Sequence, residues 1–320
     1  MHYRKFGRTG WQVSEIGYGM WGMGGQWIDS DDAESLRSLE LSIELGCNFF
    51  DTALAYGSER LLAKILRRHR DKDLYVATKI PPKDQQWPSQ RAARLMDVFP
   101  PEYIRRMTEK SLKNLKRDCL DLQQFHVWED AWANDERWQR AVEDLKRAGL
   151  VRAIGVSVNR WEPWNVLSTL RTGLVDAVQV IYNVFEQAPD DELFPLCQER
   201  DLAVIARVPL DEGTLTGKLT KRSRWPDRDW RSSYFVPENL KPSVERANRL
   251  KPLVPTDRTM AQMALGFILA NSAVSTTIPG MRKEANVRDN IAACDMKLSK
   301  KLLRELKRHR WDRSPTEWSQ

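Results

Sequence analysis

Short apolar runs alternate with longer amphipathic stretches along most of the chain. Runs such as NFFDTA (48–53) and RAIGVSV (152–158) are rich in Phe, Val and Ile, which is typical of buried β-strands. The stretches between them place apolar residues at helical spacing, and DDAESLRSLELSIELG (31–46) has an acidic start and a terminal glycine that mark a helix. This alternation predicts parallel strands joined by crossover helices.

The alternation repeats until eight units, each a strand followed by a helix, are complete. The predicted strands cover residues 17–21, 48–53, 74–80, 119–127, 152–158, 176–183, 202–209 and 274–280. Eight such units predict an α/β fold in which a single (β/α)8 TIM barrel closes on itself, and barrels of this kind occupy ~250 residues or more. We therefore expect one domain over residues 1–320.

Three segments lie outside the repeating units. Residues 1–16 predict a hairpin that turns at residues 8–10 and covers the floor of the barrel. Residues 211–255 predict a long loop with an extra helix, and residues 298–320 predict a C-terminal helix and tail. Long connections are where function concentrates, so we expect the long loops to shape the site. These loops are residues 81–101 and 211–240.

Composition excludes several classes of protein. Of the 320 residues, 41% are hydrophobic and 30% are charged, which fits a large core with a polar surface. The basic residues behind the net charge of +7 are interleaved with acidic ones, so a small phosphate-bearing ligand is favoured over nucleic acid. No apolar run approaches the ~20 residues that span a bilayer, and the N-terminus lacks a secretory signal, which predicts a cytoplasmic protein without a membrane partner. The four widely spaced cysteines predict buried thiols, with neither disulfides nor a metal site.

Polar residues stand at the predicted carboxyl ends of three successive strands, where β/α barrels carry their active sites. They are Asp51, Lys79 and His126, and Tyr56 lies in the loop that leaves the second strand. An adjacent ammonium lowers the pKa of a tyrosine, so Lys79 is expected to make Tyr56 a proton donor. Asp51 then orients Lys79, and His126 hydrogen-bonds a substrate oxygen. The set predicts reduction of a carbonyl group by a cofactor hydride.

Six segments, which extend over nearly the whole length of the chain, resemble the bacterial type of the aldo-keto reductase superfamily. They are FFDTALAYG (49–57), VATKI (76–80), LQQFHVW (122–128), IGVSVN (154–159), VQVIYN (178–183) and IPGMRKEANVRDN (278–290). The resemblance implies a catalytic tetrad of Asp51, Tyr56, Lys79 and His126. It also implies a small carbonyl substrate and NADP(H), favoured over NAD(H), bound across the barrel mouth without a Rossmann fold.

The resemblance also implies which residues hold the cofactor. Ser157 and Gln179 match the positions that bind the nicotinamide carboxamide, which needs both a donor and an acceptor. The segment that crosses the pyrophosphate contributes Leu210, Gly217 and Lys218. The adenine-side segment contributes Gly280, Arg282, Asn286, Asp289 and Asn290. Among these, the planar guanidinium of Arg282 suits a 2′-phosphate and therefore favours NADPH over NADH.

Three positions depart from the pattern of the superfamily. Arg207 stands where many members have an aromatic residue stacked on the nicotinamide, and its positive charge beside a cofactor that is cationic when oxidised is expected to shift the redox preference. The usual Ser-Asn pair is extended here to Ser157-Val158-Asn159, and Asp289 replaces a common glutamate.

Gly17, Gly19 and Gly22 spell the GxGxxG fingerprint of dinucleotide-binding folds, but no helix opens directly after them and bulky residues crowd the turn. We interpret this segment as a first-strand loop whose Met20 and Trp21 line the substrate mouth. Trp128, two residues after His126, is the best further candidate for an aromatic substrate pocket, and Trp87 is another.

Two other functions fit parts of the sequence. A Schiff-base aldolase would use Lys79 as its nucleophile, although it would not need the segment 278–290. A regulatory subunit that senses a nicotinamide cofactor with slow turnover would keep the same residues.

Overall fold

The computed structural model describes residues 1–23, 31–311 and 313, and in this part of the chain the predicted alternation is present. The strands are β1 (Tyr3–Lys5), β2 (Gln12–Ser14), β3 (Tyr18–Gly19), β4 (Phe49–Asp51), β5 (Tyr75–Ile80), β6 (Leu120–Phe125), β7 (Val151–Ser157), β8 (Ala177–Ile181), β9 (Ala203–Arg207) and β10 (Thr276–Thr277). The α-helices are α1 (Asp32–Glu44), α2 (Glu59–Arg68), α3 (Leu95–Val98), α4 (Pro101–Leu115), α5 (Glu136–Arg147), α6 (Leu167–Arg171), α7 (Leu193–Glu199), α8 (Trp230–Tyr234), α9 (Pro237–Leu250), α10 (Met260–Leu269), α11 (Glu284–Ile291) and α12 (Lys300–Lys307).

Helix boundaries follow local capping chemistry. At the start of α1 the side chain of Asp31 accepts a hydrogen bond from the backbone of Ala33, and α10 opens with a reciprocal capping box between Thr259 and Gln262. Pro101 opens α4, where its missing N–H costs no hydrogen bond. These caps satisfy backbone groups that the first turn of a helix leaves unpaired.

The strands β3 to β10 form one parallel sheet in chain order, and the sheet closes on itself. Parallel bridges join Ile16 to Thr277 and Gly19 to Gly280, and the Gly17 amide donates to the Thr277 carbonyl at 2.8 Å. A β-carbon at Gly19 would lie 2.5 Å from the Ile278 carbonyl oxygen, so only glycine allows the first and last strands to approach this closely. The predicted (β/α)8 barrel is therefore confirmed. The first glycine-rich segment serves this closure, a role that was not predicted for it from the sequence.

The interior of the barrel changes from apolar to polar along the strands. Near the floor, Phe49, Ala77 and Leu122 pack in one buried cluster with Ala153, Ala177 and Ala203. Alternate residues of a strand share a face, so the side chains two positions further along also point inward. On β4, β5, β6 and β8 these are Asp51, Lys79, Gln124 and Gln179, all buried. The strand register thus gathers polar groups near the carboxyl end of the barrel.

The predicted N-terminal hairpin is present and closes the floor. β1 and β2 pair antiparallel, and the turn between them ends at Gly10 with φ of 75°. Phe6 and Trp11 stack with ring centres 5.7 Å apart, and Phe6 also packs on Phe49 at the bottom of β4. The aromatic side chains of the hairpin therefore fill the space that the small alanine side chains leave at the floor of the barrel.

Some local predictions differ from the structure. The helix expected after the predicted strand 152–158 is only the short α6. Trp161 has a positive φ of 61°, and the Asn165 side chain donates to Glu129 and Glu162. The predicted loop 81–101 contains the short helix α3. Of the four free cysteines, Cys119 is only partly buried. The predicted tail after α12 lies largely outside the described residues.

Within the described residues, no helix is both long enough and apolar enough to cross a membrane.

Candidate active site

Four successive structural elements bring the predicted tetrad together. Asp51 ends β4, Lys79 lies near the end of β5, and His126 directly follows β6. Tyr56 ends a short 3-10 helix, Leu54–Tyr56, that follows β4. Because parallel strands end on the same rim, the three strand-end side chains converge beneath the loop that carries Tyr56.

Lys79 and Asp51 form a buried ion pair. The Nζ atom of Lys79 lies 2.6 Å from Oδ1 of Asp51 and donates to the Thr52 carbonyl at 2.9 Å. The second carboxylate oxygen, Oδ2, accepts from Nε2 of Gln179 at 2.7 Å and from Nε2 of Gln124 at 3.5 Å. Burial lowers the pKa of Lys79, while the charge of Asp51 and its hydrogen bond oppose that shift. Three groups outside the pair, the Thr52 carbonyl and the side-chain amides of Gln179 and Gln124, thus hold it in one geometry.

Tyr56 and His126 meet above this ion pair. The Oη atom of Tyr56 lies 3.3 Å from Nε2 of His126, and Nζ of Lys79 lies 4.9 Å from the centre of the Tyr56 ring. The indole of Trp87 packs edge-on against His126 with ring centres 4.5 Å apart. Trp87 comes from the long loop 81–101, so this loop does reach the site, as expected from its length.

The electrostatics of Tyr56 differ from the expectation. Burial is the main cause that raises the pKa of Tyr56 above its usual value of 10.0, and the negative charge of Asp51 raises it further. The expected lowering by Lys79 is absent because the ammonium is neutralised by its partner Asp51. Tyr56 therefore retains its proton at neutral pH.

His126 is uncharged at neutral pH. Burial lowers the pKa of His126 well below its usual value of 6.5, and the positive charges of Lys79 and Arg207 act in the same direction. A neutral imidazole can still donate one hydrogen bond and accept another. Its Nδ1 atom is buried without a hydrogen-bond partner among the described residues.

The residues expected beside the nicotinamide line the same inner face of the barrel. Ser157 ends β7 and is paired in register with Gln179 on β8. Arg207 ends β9, and its guanidinium donates to the Val158 carbonyl at 3.0 Å. Asn159 lies elsewhere, because its amide bonds to the Trp128 carbonyl at 2.8 Å and is used to hold the strand-end loops together.

The expected pyrophosphate segment is a tight, strained turn. Leu210 precedes a 3-10 segment, Asp211–Thr216, which ends at Gly217 with φ of 71°, and Lys218 is exposed. Asp211 and Glu212 have φ of 47° and 55°, a left-handed backbone that costs roughly 1 to 2 kcal/mol per ordinary residue. Buried ion pairs hold both residues.

These ion pairs come from two distant parts of the chain. Arg160, which follows β7, pairs with Glu212 at 2.5 Å. Arg313, near the C-terminus, lies 2.9 Å from Asp211 and 3.0 Å from Glu186. Nothing in the sequence pattern marked Arg160 or Arg313 as partners of this loop, since ion pairs between remote loops leave no periodic signal.

The expected adenine-side residues follow β10. A β-carbon at Gly280 would meet nothing within 4 Å, so the space beside it is open. Arg282 is partly exposed, Asn286 is exposed, and Asn290 is buried on α11. Asp289 is already engaged, because its carboxylate accepts from Nε2 of Gln262 at 2.9 Å.

The three expected substrate residues do not lie together. Trp21 is partly exposed and packs edge-on against Trp230 at 4.8 Å, whereas Met20 is fully buried in the core. Trp128 is also fully buried, and its indole N–H donates to Thr169 at 2.8 Å. Its side chain packs on Trp138 of α5, outside the barrel, because the chain turns outward after His126. Trp87 takes the position at the site that Trp128 was expected to hold.

Two functional candidates were missed by sequence reasoning. Gln124 is two residues before His126 on the inner face of β6 and contacts Asp51, so strict alternation along the strand would have found it. Trp230 lies beside Trp21, and the centre of its ring is 5.7 Å from the Arg160 guanidinium. It comes from the loop 211–240, where no sequence pattern predicts which way a side chain points.

Comparison with known proteins matches this arrangement to one family. The family model described as "Aldo/keto reductase family" matches residues 15–310. The uncharacterized oxidoreductase YqkF of Bacillus subtilis is 29% identical over 97% of this chain and 96% of its own length. The NADH-specific methylglyoxal reductase of Escherichia coli is 26% identical over 92% of this chain and 93% of its own length.

Solved structures agree with the fold. The holo form of an aldo-keto reductase from Bacillus halodurans has a TM-score of 0.77 at 24% identity, and all of both chains is covered. An aldo/keto reductase from Klebsiella pneumoniae in complex with NADP and acetate has a TM-score of 0.70 at 24% identity, covering 96% of this chain and 95% of that one.

Proposed function

The chain belongs to the aldo/keto reductase family of oxidoreductases, and from this premise we propose that it reduces an aldehyde or ketone to an alcohol with NADPH as hydride donor. The observation that carries the proposal is the contact between Tyr56 and His126, at 3.3 Å, directly beside the buried pair of Lys79 and Asp51. A carbonyl oxygen accepts hydrogen bonds, so the phenol O–H of Tyr56 and an imidazole N–H of His126, which meet at one point, are suited to bind it.

Each member of the tetrad has a separate task in this proposal. Tyr56 keeps its proton until negative charge develops on the substrate oxygen, and then donates it from Oη. His126, being neutral, hydrogen-bonds the same oxygen without competing as an acid. The Nζ atom of Lys79 lies 4.9 Å from the centre of the Tyr56 ring and helps to fix the ring in place, while the positive charge that favours the phenolate is that of Arg207. The charge of Asp51 and its hydrogen bond oppose the lowering of the Lys79 pKa by burial.

The residues present fit a nicotinamide cofactor at the barrel mouth. Oε1 of Gln124, Nδ1 of His126 and Nε of Arg207 are buried without a hydrogen-bond partner among the described residues, a deficit that bound polar groups would relieve. When bound, the cofactor supplies the hydride. We assign its nicotinamide end to Ser157, Gln179 and Arg207.

The remaining cofactor contacts are proposed from the two segments beyond the nicotinamide end. They are Leu210, Gly217 and Lys218 for the pyrophosphate, and Gly280, Arg282, Asn286, Asp289 and Asn290 for the adenosine. The preference for NADPH rests on Arg282, whose planar guanidinium suits a 2′-phosphate. One relative is named NADH-specific and one solved relative was crystallised with NADP, so the preference is a property of each chain's own residues.

The other two functions receive less support. In a Schiff-base aldolase Lys79 would have to leave both Asp51 and the Thr52 carbonyl to attack a substrate, exposing a buried carboxylate. A cofactor-sensing subunit has no need of a complete proton-donating set, and the buried pair of Lys79 and Asp51 is expensive to retain without turnover.

The proposal is tested by the variant Tyr56→Phe. This change removes only the phenol oxygen, so NADPH affinity measured by fluorescence should stay nearly constant. The rate of reduction of a reactive aldehyde should fall by a factor of about 10² to 10⁴, the usual contribution of general acid catalysis. Retained reduction by the variant would contradict Tyr56 as proton donor.

A further inference from the structure

Several buried charged groups around the barrel mouth form ion pairs among the residues that the structure describes. Lys79 pairs with Asp51, and Arg160 pairs with Glu212. Arg313 lies within ion-pair distance of Asp211 and Glu186. Among the residues that the structure describes, Arg207 has no carboxylate within 4.0 Å, and its Nε atom has no hydrogen-bond partner. The guanidinium of Arg207 therefore has no direct ion-pair partner in this part of the site, and the carboxylates of Glu212 and Asp51 act on it only from beyond that distance.

Arg207 is also fixed in place. It ends β9 on the inner face of the barrel, two residues after the buried Ile205, and is paired in register with Ile181. Its Nη2 atom donates to the Val158 carbonyl at 3.0 Å, directly after Ser157. The guanidinium thus lies between the carboxyl ends of β7 and β9, on the rim that also carries Tyr56 and His126.

This position coincides with the space that a hydride donor has to use. A carbonyl group whose oxygen meets Tyr56 and His126 has its carbon within contact distance of the donor ring, because hydride transfer requires near-contact. The strand ends on the far side of the mouth from Tyr56 are those of β7, β8 and β9. A nicotinamide ring there is a neighbour of Arg207.

We propose that Arg207 makes the site bind the reduced cofactor more tightly than the oxidised cofactor, and so favours carbonyl reduction over alcohol oxidation. This inference rests on the proposed function, since it requires a nicotinamide at the barrel mouth. The oxidised ring carries a positive charge and the reduced ring is neutral, so a cation without a direct ion-pair partner beside the ring disfavours the oxidised form.

The chemistry of the favoured direction balances. The C4–H bond of the reduced nicotinamide breaks, its electron pair forms the new C–H bond of the product, and the substrate oxygen takes the proton of Tyr56. The cofactor gains one unit of positive charge in this step, and that charge arises beside Arg207. The repulsion weakens binding of the oxidised cofactor, which promotes its release after each reduction.

Arg207 keeps its charge under ordinary conditions. Burial and the nearby Arg160 lower the pKa of Arg207 to about 10, which still leaves the guanidinium protonated at neutral pH.

The test compares the dissociation constants of NADPH and NADP⁺ for the full chain and for Arg207→Gln and Arg207→Lys. Quenching of tryptophan fluorescence measures both ligands without turnover. Arg207→Gln keeps a donor for the Val158 carbonyl but removes the charge, and should lower the ratio of the NADP⁺ constant to the NADPH constant at least tenfold. A tenfold change corresponds to about 30 mV in the potential of a two-electron couple.

Matched variants separate this effect from general damage. Arg207→Lys keeps the charge and should keep the ratio within about threefold of the parent, a free-energy difference below that of a tenfold change. Arg282→Ala should weaken the binding of NADPH and of NADP⁺ equally, because the two cofactor forms carry the same 2′-phosphate. An unchanged ratio in Arg207→Gln, with both forms still bound, overturns the role of Arg207. A parent chain that binds neither form overturns the proposed function itself.

Discussion

The ammonium of Lys79 and the carboxylate of Asp51 lie 2.6 Å apart at the centre of the barrel, and neither side chain is exposed by more than 4%. A buried charge that loses its partner is strongly destabilised, because desolvation is no longer offset by attraction. The pair to which we assign a catalytic role is therefore also part of the structural core.

We expect Asp51→Asn to lower the free energy of unfolding by about 3 to 5 kcal/mol, as is usual when one member of a buried ion pair is removed. Denaturant unfolding measures the change. The double variant Asp51→Asn, Lys79→Met should recover part of the stability, because no unpaired charge remains. Asp97→Asn is the control, since its pair with Arg94 is on the surface and should change stability little. Equal losses in both single variants would contradict the role of burial.

The reduction step should be insensitive to pH over a wide range. His126 titrates below its usual value of 6.5 and Tyr56 above its usual value of 10.0, so between these limits the imidazole stays neutral and the phenol stays protonated. The rate should fall only as rising pH deprotonates Tyr56, because reduction needs its proton. Single-turnover measurements with saturating cofactor test this, and an inflection near pH 8 would contradict it.

Arg282→Ala should weaken the binding of NADPH by about tenfold or more and leave the binding of NADH nearly unchanged. A guanidinium bound to a 2′-phosphate forms strong charge-assisted hydrogen bonds, and NADH has no such phosphate. The dissociation constants of both cofactors are compared in the same buffer. Lys283→Ala is the matched control, because it removes an exposed positive charge at the next position. Equal losses for NADPH and NADH would place recognition of the 2′-phosphate at another residue.

Barrel closure makes Gly19 sensitive to substitution. Gly19→Ala places a β-carbon 2.5 Å from the Ile278 carbonyl oxygen, and overpacking of this kind typically costs about 1 to 3 kcal/mol. Gly280→Ala is the control from the opposite side of the same bridge, where the added atom meets nothing within 4 Å. Thermal unfolding of the cofactor-free variants measures both. Equal stability of the two would contradict the closure argument.

The fold was predictable because the signals that specify it are local and periodic. Each buried strand left an apolar run, and Asp51, Lys79 and His126 were found because barrel geometry turns strand ends into one rim. Gln124 obeys the same alternation and was recoverable from it. The resemblance added the identity of the family, which the family model confirms.

Side-chain direction beyond the strands was not predictable. Trp128 and Trp87 both follow strand ends, yet Trp128 packs outward against Trp138 while Trp87 covers His126. The charge balance at the mouth depends on pairs such as Arg160 with Glu212, which are distant in sequence and meet only after folding. The raised pKa of Tyr56 follows from burial, a quantity that the sequence does not display.

The hairpin that plugs the floor has a consequence for kinetics. In the described part of the chain, Phe6 and Trp11 pack beneath the strands and fill the floor of the barrel, so we expect ligands to reach the site through the rim that carries Tyr56. For a cofactor that binds at the strand ends, as we propose, we expect the substrate to bind second and the alcohol to leave first. Steady-state inhibition patterns should accordingly be those of a compulsory-order mechanism.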